Sequence, residues 1–256
     1  MRIYSQAYEL MSETGRNLTE MGHINKPKTY QNKVIEGNTD FITKELICEQ
    51  YCLTSLPDPQ WLFVYTKAQE WADAEFKERV SGKYINPGEA YKLRKDMWEE
   101  FLVDKEGHQL FDYTYPERMS LTCSYKGKFM PKLEALIKLL KDDPDTRKAV
   151  LDIFGVGIHR DSNYYDGTHR IPCSMYYDFL IREDMRGNKV LNICYHQRSS
   201  DFIGHFGDDV YLAWRLMEYV AEKVGISPGY LYHTIDSLHA YQKDWWMLKT
   251  SIEDIK

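Results

Sequence analysis

The sequence contains no Cys-x-x-Cys pair. Its five cysteines, Cys48, Cys52, Cys123, Cys173 and Cys194, are odd in number and scattered. That argues against a zinc site or a disulfide framework, so no metal is expected and a reducing compartment is. No apolar run approaches the ~18 residues a membrane span needs. The opening MRIYSQAYEL also lacks a signal-peptide layout, so a cytoplasmic protein with no membrane partner is expected. Positive charge is not in excess either: 33 Lys and Arg stand against 39 Asp and Glu, for a net charge of -6. That argues against a broad nucleic-acid-binding face and leaves room for a local pocket for one phosphate. With no internal repeat and no low-complexity linker, residues 1–256 read as a single globular domain.

Several stretches carry clear periodicity. Residues 39–53, TDFITKELICEQYCL, predict a helix with Thr39 as N-cap and an apolar stripe through Phe41, Ile42, Leu46, Cys48, Cys52 and Leu53. Glu45 falls inside that stripe. A carboxylate there is partnered, protonated or functional, or it reaches water at the stripe's edge. Residues 57–100 are aromatic and charged, with breaks at Pro57, Pro59 and Pro87, and predict helices without fixed bounds. PKLEALIKLLK at 131–141 predicts a helix with Pro131 in its first turn.

Strand signals follow at 148–154, 173–182 and 189–197, the last two forming a hairpin across EDMRGN. A helix over 209–224 comes next, with Asp208 as cap and Gly225 as stop. A final strand, GYLYHTID, leads into SLHAY. The mixture predicts an α+β fold.

Candidate chemistry collects in the same half. Cys173 follows Arg170-Ile171-Pro172 at the mouth of a strand, as a buried small hydrophobe or as an accessible thiol. A neighbouring arginine would stabilise its thiolate, and Arg198 is the candidate. Arg198 and Ser199 offer a guanidinium fork beside a hydroxyl, as an anion site or as an ordinary surface turn. His239 and Tyr241, two apart, share a face of an extended segment, for a polar ligand or for each other.

In order and spacing these stretches resemble the thymidylate synthase family, including its pyrimidine hydroxymethylase branch. The resemblance rests on PCS at 172–174, YHQRSSD at 195–201, Asp209-Val-Tyr and SLHAY at 237–241, preceded by YTYPERM at 113–119 and DPDTRK at 143–148. It is good over about 113–246; before that it rests on NTDFITKEL at 38–46. It implies an α+β thymidylate synthase-like fold: a large mixed sheet with flanking helices, dimerising through the sheet face. It further implies a pyrimidine deoxynucleoside monophosphate as substrate, methylene-tetrahydrofolate as co-substrate and a homodimer. Cys173 is then the nucleophile, with Tyr115 (or its rival Tyr113) near it and Glu45 organising water and proton transfer. Arg198 and Ser199 bind phosphate, with Gln197 beside them towards the base. Arg147, followed by Lys148, reaches the phosphate of the other subunit's site. Asp201 contacts the folate pterin, Trp98 borders the pyrimidine or folate, and His239 and Tyr241 hold the sugar 3′-hydroxyl.

The base follows from Asp209, eight residues after Asp201. Uracil enzymes of the family carry Asn there, whose amide matches the uracil 4-oxo group and ring N–H. Cytosine reverses that pattern, and a carboxylate accepts from its amino group. The phage deoxycytidylate hydroxymethylase branch also has Asp here. The alternative makes Asp209 a helix cap and Asp208 the base reader. The expectation is therefore a dCMP hydroxymethylase, in host cytoplasm if phage-encoded. Its rivals are a thymidylate synthase or dUMP hydroxymethylase, a dCMP C5-methyltransferase, and an inactive nucleotide-binding homologue. Ser174 replaces the His that follows the nucleophile in synthases, Lys148 replaces an Arg, and Pro116 stands where Gly is frequent. No N-terminal arginine loop for phosphate is evident, and SIEDIK does not match the tail that closes over folate.

Overall fold

The computed structural model describes every residue except 31–32, 156–160, 162–164, 166, 250–251 and 253–256. Most of the SIEDIK tail therefore lies outside the described residues. An eight-stranded mixed sheet runs in the order β1 (Arg2–Tyr4), β5 (Thr43–Leu53), β14 (Ser227–Tyr241), β12 (Lys189–Gln197), β11 (Ser174–Glu183) and β10 (Val150–Asp152). Two short strands extend it, β2 (His23–Asn25) on β5 and β13 (Ser200–Asp201) on β14. Three hairpins stand apart: β3/β4 (Thr29–Tyr30, Lys33–Val34), β6/β7 (Val103–Lys105, His108–Leu110) and β8/β9 (Thr122–Tyr125, Lys128–Pro131). The helices are α1 (Ala7–Met21), α2 (Pro59–Leu62), α3 (Gln69–Arg79), α4 (Lys95–Trp98), α5 (Tyr115–Ser120), α6 (Lys132–Asp142), α7 (Gly207–Val224) and α8 (Trp245–Lys249).

The expected β11–β12 hairpin forms in antiparallel register, Phe179 opposite Ile193, closed by Gly187 at φ 79°. Tyr177, Phe179 and Ile181 alternate into the core, the period-2 signal the sequence carried. From β12 the chain crosses through β13 and α7 to the parallel strand β14. Helix α7 buries Val210, Ala213, Trp214, Met217, Val220 and Ala221 against the sheet. Each large side chain there contributes roughly 1.5–3 kcal/mol of burial. Gly225 ends the helix at φ 92°, its N–H donating to Ala221.

Two expectations are corrected. Residues 39–53 are not a helix: a 3-10 turn (Thr39–Phe41), capped by Asn38 rather than Thr39, leads into strand β5. The reason is a phase change. Leu46 enters the core from an even position, Tyr51 and Leu53 from odd ones, and Cys48 between them sits at φ 55°. Strict alternation is lost, and what remains mimics helical spacing. The strand is nevertheless paired on both sides, with β14 along its length and β1 and β2 opposite. Asp208 likewise does not cap α7. A π turn (Phe202–Phe206) runs directly into the helix, and Asp208 lies in its first turn.

Candidate active site

The site forms where β12 gives way to β13 alongside β14. Gln197 is the last residue of β12 and Ser200 opens β13, so Arg198 and Ser199 leave the ladder between them. The Arg198 N–H donates to the Cys173 carbonyl at 2.9 Å. Its guanidinium donates to Pro172 O (Nε, 2.8 Å) and Ile171 O (Nη2, 3.0 Å), and Nη2 lies 3.7 Å from Cys173 Sγ. The neighbour that the sequence left open is thus Arg198. Burial still pushes the Cys173 thiol up; Arg198 opposes that shift and Asp209 adds to it.

Cys173 borders two adjoining cavities, of about 160 and about 360 Å³. Arg198 and Glu45 line only the larger; Ser199, His239 and Tyr241 line both. Gln197, Asp201, Asp209, Tyr115 and Trp98 line the smaller. His239 and Tyr241 do share a face, their rings 5.0 Å apart, and burial holds the His239 imidazole below its usual pKa. Asp201 Oδ1 accepts from Ile203 N at 3.1 Å and so starts the π turn.

Asp208 and Asp209 diverge. Asp208 is ion-paired to Arg94 at 2.6 Å, its side chain 2% exposed. Asp209 Oδ2 accepts from Gln197 Nε2 at 2.7 Å and Ser200 Oγ at 2.8 Å. Its Oδ1 has no partner among the described residues. Burial raises the Asp209 carboxyl above its usual range, partly offset by Gln197.

Tyr115 meets the nucleophile's neighbour: Ser174 Oγ donates to Tyr115 OH at 3.2 Å and makes a 2.6 Å hydrogen bond with Tyr195 OH. Tyr113, its rival, lines the same cavity, and burial pushes its hydroxyl up to about 12. Trp98 stacks on Trp71 at 5.9 Å. Its buried indole N–H has no partner among the described residues. Arg147 and Lys148 are exposed in the turn before β10 and reach neither cavity.

Glu45 is where the changed fold matters most. Instead of lying on a helical stripe, it lies on β5 in a row with His239 and Asp201, and it accepts from Ser237 Oγ. Sequence reading missed Glu75 and Arg79. They form a 2.8 Å ion pair on α3, both line the smaller cavity, and Arg79 lies 4.0 Å over the Tyr115 ring. Their i, i+4 spacing, alongside Trp71 and Phe76, was the available signal. Arg170 was also missed; its guanidinium lies 4.2 Å over Phe101 where the two cavities meet. Among the described residues no group of His, Cys, Asp and Glu side chains is arranged to hold a metal. No helix among them is long and apolar enough to cross a membrane.

A thiol held by an arginine, beside a cavity walled by aromatic rings and closed by a carboxylate, defines a nucleophilic site for a flat polar ring. The sequence profile of the thymidylate synthase family matches residues 86–255. A putative thymidylate synthase of Methanosarcina mazei is 30% identical over 162 residues, 63% of this chain and 68% of that protein. A deoxyuridylate hydroxymethyltransferase of Bacillus phage SP01 is 30% identical over 187 residues, 65% of this chain and 46% of that protein. Among solved structures, thermostable thymidylate synthase A from Bacillus subtilis superposes with a TM-score of 0.73 at 16% identity, covering 97% of this chain and 84% of that one. The chain belongs to the thymidylate synthase family, whose members are folate-dependent transferases of one-carbon units to pyrimidines.

Proposed function

We propose that this chain converts dCMP to its 5-hydroxymethyl derivative. The observation that carries this reading is Asp209. Its Oδ2 is occupied by two donors and its Oδ1 is unpartnered in the cavity that Cys173 borders. A carboxylate oxygen matches the cytosine amino group and opposes the 4-oxo group of uracil.

The Cys173 thiolate adds to carbon 6, and carbon 5 becomes enamine-like and nucleophilic. Bound methylene-tetrahydrofolate supplies the one-carbon unit. The aromatic wall of Trp71, Trp98 and Tyr113, with the unpartnered Trp98 N–H, suits such a flat heterocycle. A carboxylate then removes the carbon 5 proton as the bond to the folate nitrogen breaks and tetrahydrofolate leaves. Water adds to the resulting exocyclic methylene, and loss of Cys173 from carbon 6 restores the ring double bond. The sequence expectation gave the proton transfer to Glu45. Glu75, which shares its cavity with Cys173, Gln197 and Asp209 while Glu45 lines only the other, is the stronger candidate. Arg198 and Ser199 bind the phosphate in the larger cavity, and Arg198 Nη1 has no partner among the described residues. His239 and Tyr241 hold the sugar, and Asp201 meets the folate. We also propose a homodimer through the sheet face, with Arg147 and Lys148 serving the partner's phosphate. Exposed Ile3, Ile47, Val150 and Tyr176 on the sheet strands support it.

The second reading, action on dUMP, is favoured by the name of the phage SP01 relative. Incubation with methylene-tetrahydrofolate and either dCMP or dUMP, followed by product mass, separates them. Conversion of dUMP alone overturns the cytosine assignment. A methyl product with dihydrofolate overturns the hydroxymethyl one.

A further inference from the structure

Behind Asp209 runs a buried line of hydrogen bonds whose far members, Tyr51 and His233, have no role in the reading above. Tyr51 OH is 2.8 Å from His233 Nδ1, His233 Nε2 is 3.1 Å from Gln197 Oε1, and Gln197 Nε2 is 2.7 Å from Asp209 Oδ2. Tyr51 is fully buried, and His233 and Gln197 are each 1% exposed. The imidazole is fixed in place, stacked 4.3 Å from Tyr195 and met edge-on by Tyr51.

We propose that His233 and Tyr51 are positioning residues for base selection: they hold the Gln197 amide with its N–H toward Asp209, so that the carboxylate meets the base as an acceptor through Oδ1. This rests on Asp209 reading the base, as above.

The direction of the line follows from its far end. Burial holds His233 down at about 3, so the ring is neutral and carries one N–H. Burial also keeps the Tyr51 hydroxyl protonated, its pKa well above the usual value. Among the described residues His233 Nδ1 is the one acceptor within reach of that hydroxyl. Tyr51 therefore donates to Nδ1, and the ring proton sits on Nε2. Nε2–H donates to Gln197 Oε1, which turns the amide nitrogen to Asp209. Reversing the line would require a protonated Asp209 donating to Gln197, and it would leave the Tyr51 proton buried without an acceptor. Such an orphan costs about 1–3 kcal/mol. Ser200 Oγ fills the second lone pair of Oδ2. Only Oδ1 is left for a ligand, and its preferred partner is a donor such as an exocyclic amine.

The test compares kcat/KM for dCMP and dUMP in the wild type, Tyr51→Phe, His233→Phe and Asp209→Asn, alongside 15N spectra of the histidine ring nitrogens. Tyr51→Phe removes one oxygen and serves where His233→Phe fails to fold. The expected result is a His233 ring protonated at Nε2 and unchanged from pH 5 to 8. In Tyr51→Phe the expected result is a mixture of tautomers and a dCMP:dUMP preference reduced about three- to tenfold, the range one hydrogen bond supplies. A wild-type ring protonated at Nδ1 would overturn the inference. So would an unchanged preference in Tyr51→Phe when Asp209→Asn shifts it. An unchanged preference in Asp209→Asn would instead overturn the base reading itself, and this inference with it.

Discussion

Arg198 Nη2 stands 3.7 Å from the Cys173 sulfur while the same guanidinium holds the carbonyls of Ile171 and Pro172. One side chain therefore both shapes the turn that presents the nucleophile and biases its charge. Burial raises the thiol and Arg198 lowers it, so removing Arg198 raises it further. The alkylation rate of Cys173 follows its thiolate fraction and climbs with pH. In Arg198→Gln that climb is expected to shift to higher pH, with slower iodoacetamide labelling at pH 8. Labelling unchanged or faster would refute the electrostatic role. Cys173→Ala is expected to abolish turnover while nucleotide binding by calorimetry persists.

Glu75→Gln and Glu45→Gln divide the proton-transfer question. Loss of a positioned general base costs roughly 10²–10⁴-fold. Release of tritium from carbon 5 of labelled dCMP reads that step directly. The expected outcome is a loss of this size in Glu75→Gln and a smaller one in Glu45→Gln. The opposite order would return the role to Glu45.

The Arg94–Asp208 pair is deeply buried, its side chains 11% and 2% exposed. Asp208→Ala leaves the guanidinium charge without its carboxylate, a change that costs about 3–5 kcal/mol in comparable settings. Urea unfolding would measure it. A change under about 1 kcal/mol, the range of an exposed pair, would contradict the burial.

Gly207 opens α7, and a Cβ there would stand 1.9 Å from Leu62 O and 2.7 Å from Leu62 C. These are backbone atoms and cannot swing aside. Gly207→Ala should cost at least about 1–3 kcal/mol, seen as a lower Tm. It should also weaken dCMP binding, because Asp209 follows two residues later. A wild-type Tm would show that α2 and α7 separate easily.

The second half of the fold was legible because its signals are regular. The β12 bounds fall at 189–197 as expected, and α7 presents the expected apolar face with Gly225 at its end. The motifs at 172–174, 195–201 and 237–241 fall at the entry to β11, across the end of β12 into β13, and at the end of β14, so the candidate site came with the strands. Residues 39–53 misled because Cys48 shifts the strand's phase. Glu75 and Arg79 stayed hidden because α3 turns an ion pair toward a cavity, which erases the apolar stripe that marks a buried helix face. The link from His233 to Asp209 spans residues far apart in the chain, and no local pattern announces it.

Connections between a strand and a helix ordinarily tolerate a residue gained or lost. The π turn at Phe202–Phe206 is different. Phe202, Ile203 and Phe206 are buried in it, Asp201 at its start is held in register with His239, and Asp209 follows at a fixed angle around α7. Deleting one residue would swing Asp209 by about 100° around the helix axis while Asp201 stayed in the sheet. The length of this stretch is therefore fixed by the two aspartates it joins. If Asp209 reads the base as proposed, a single substitution at position 209 changes the choice between pyrimidines with the backbone that delivers it left intact.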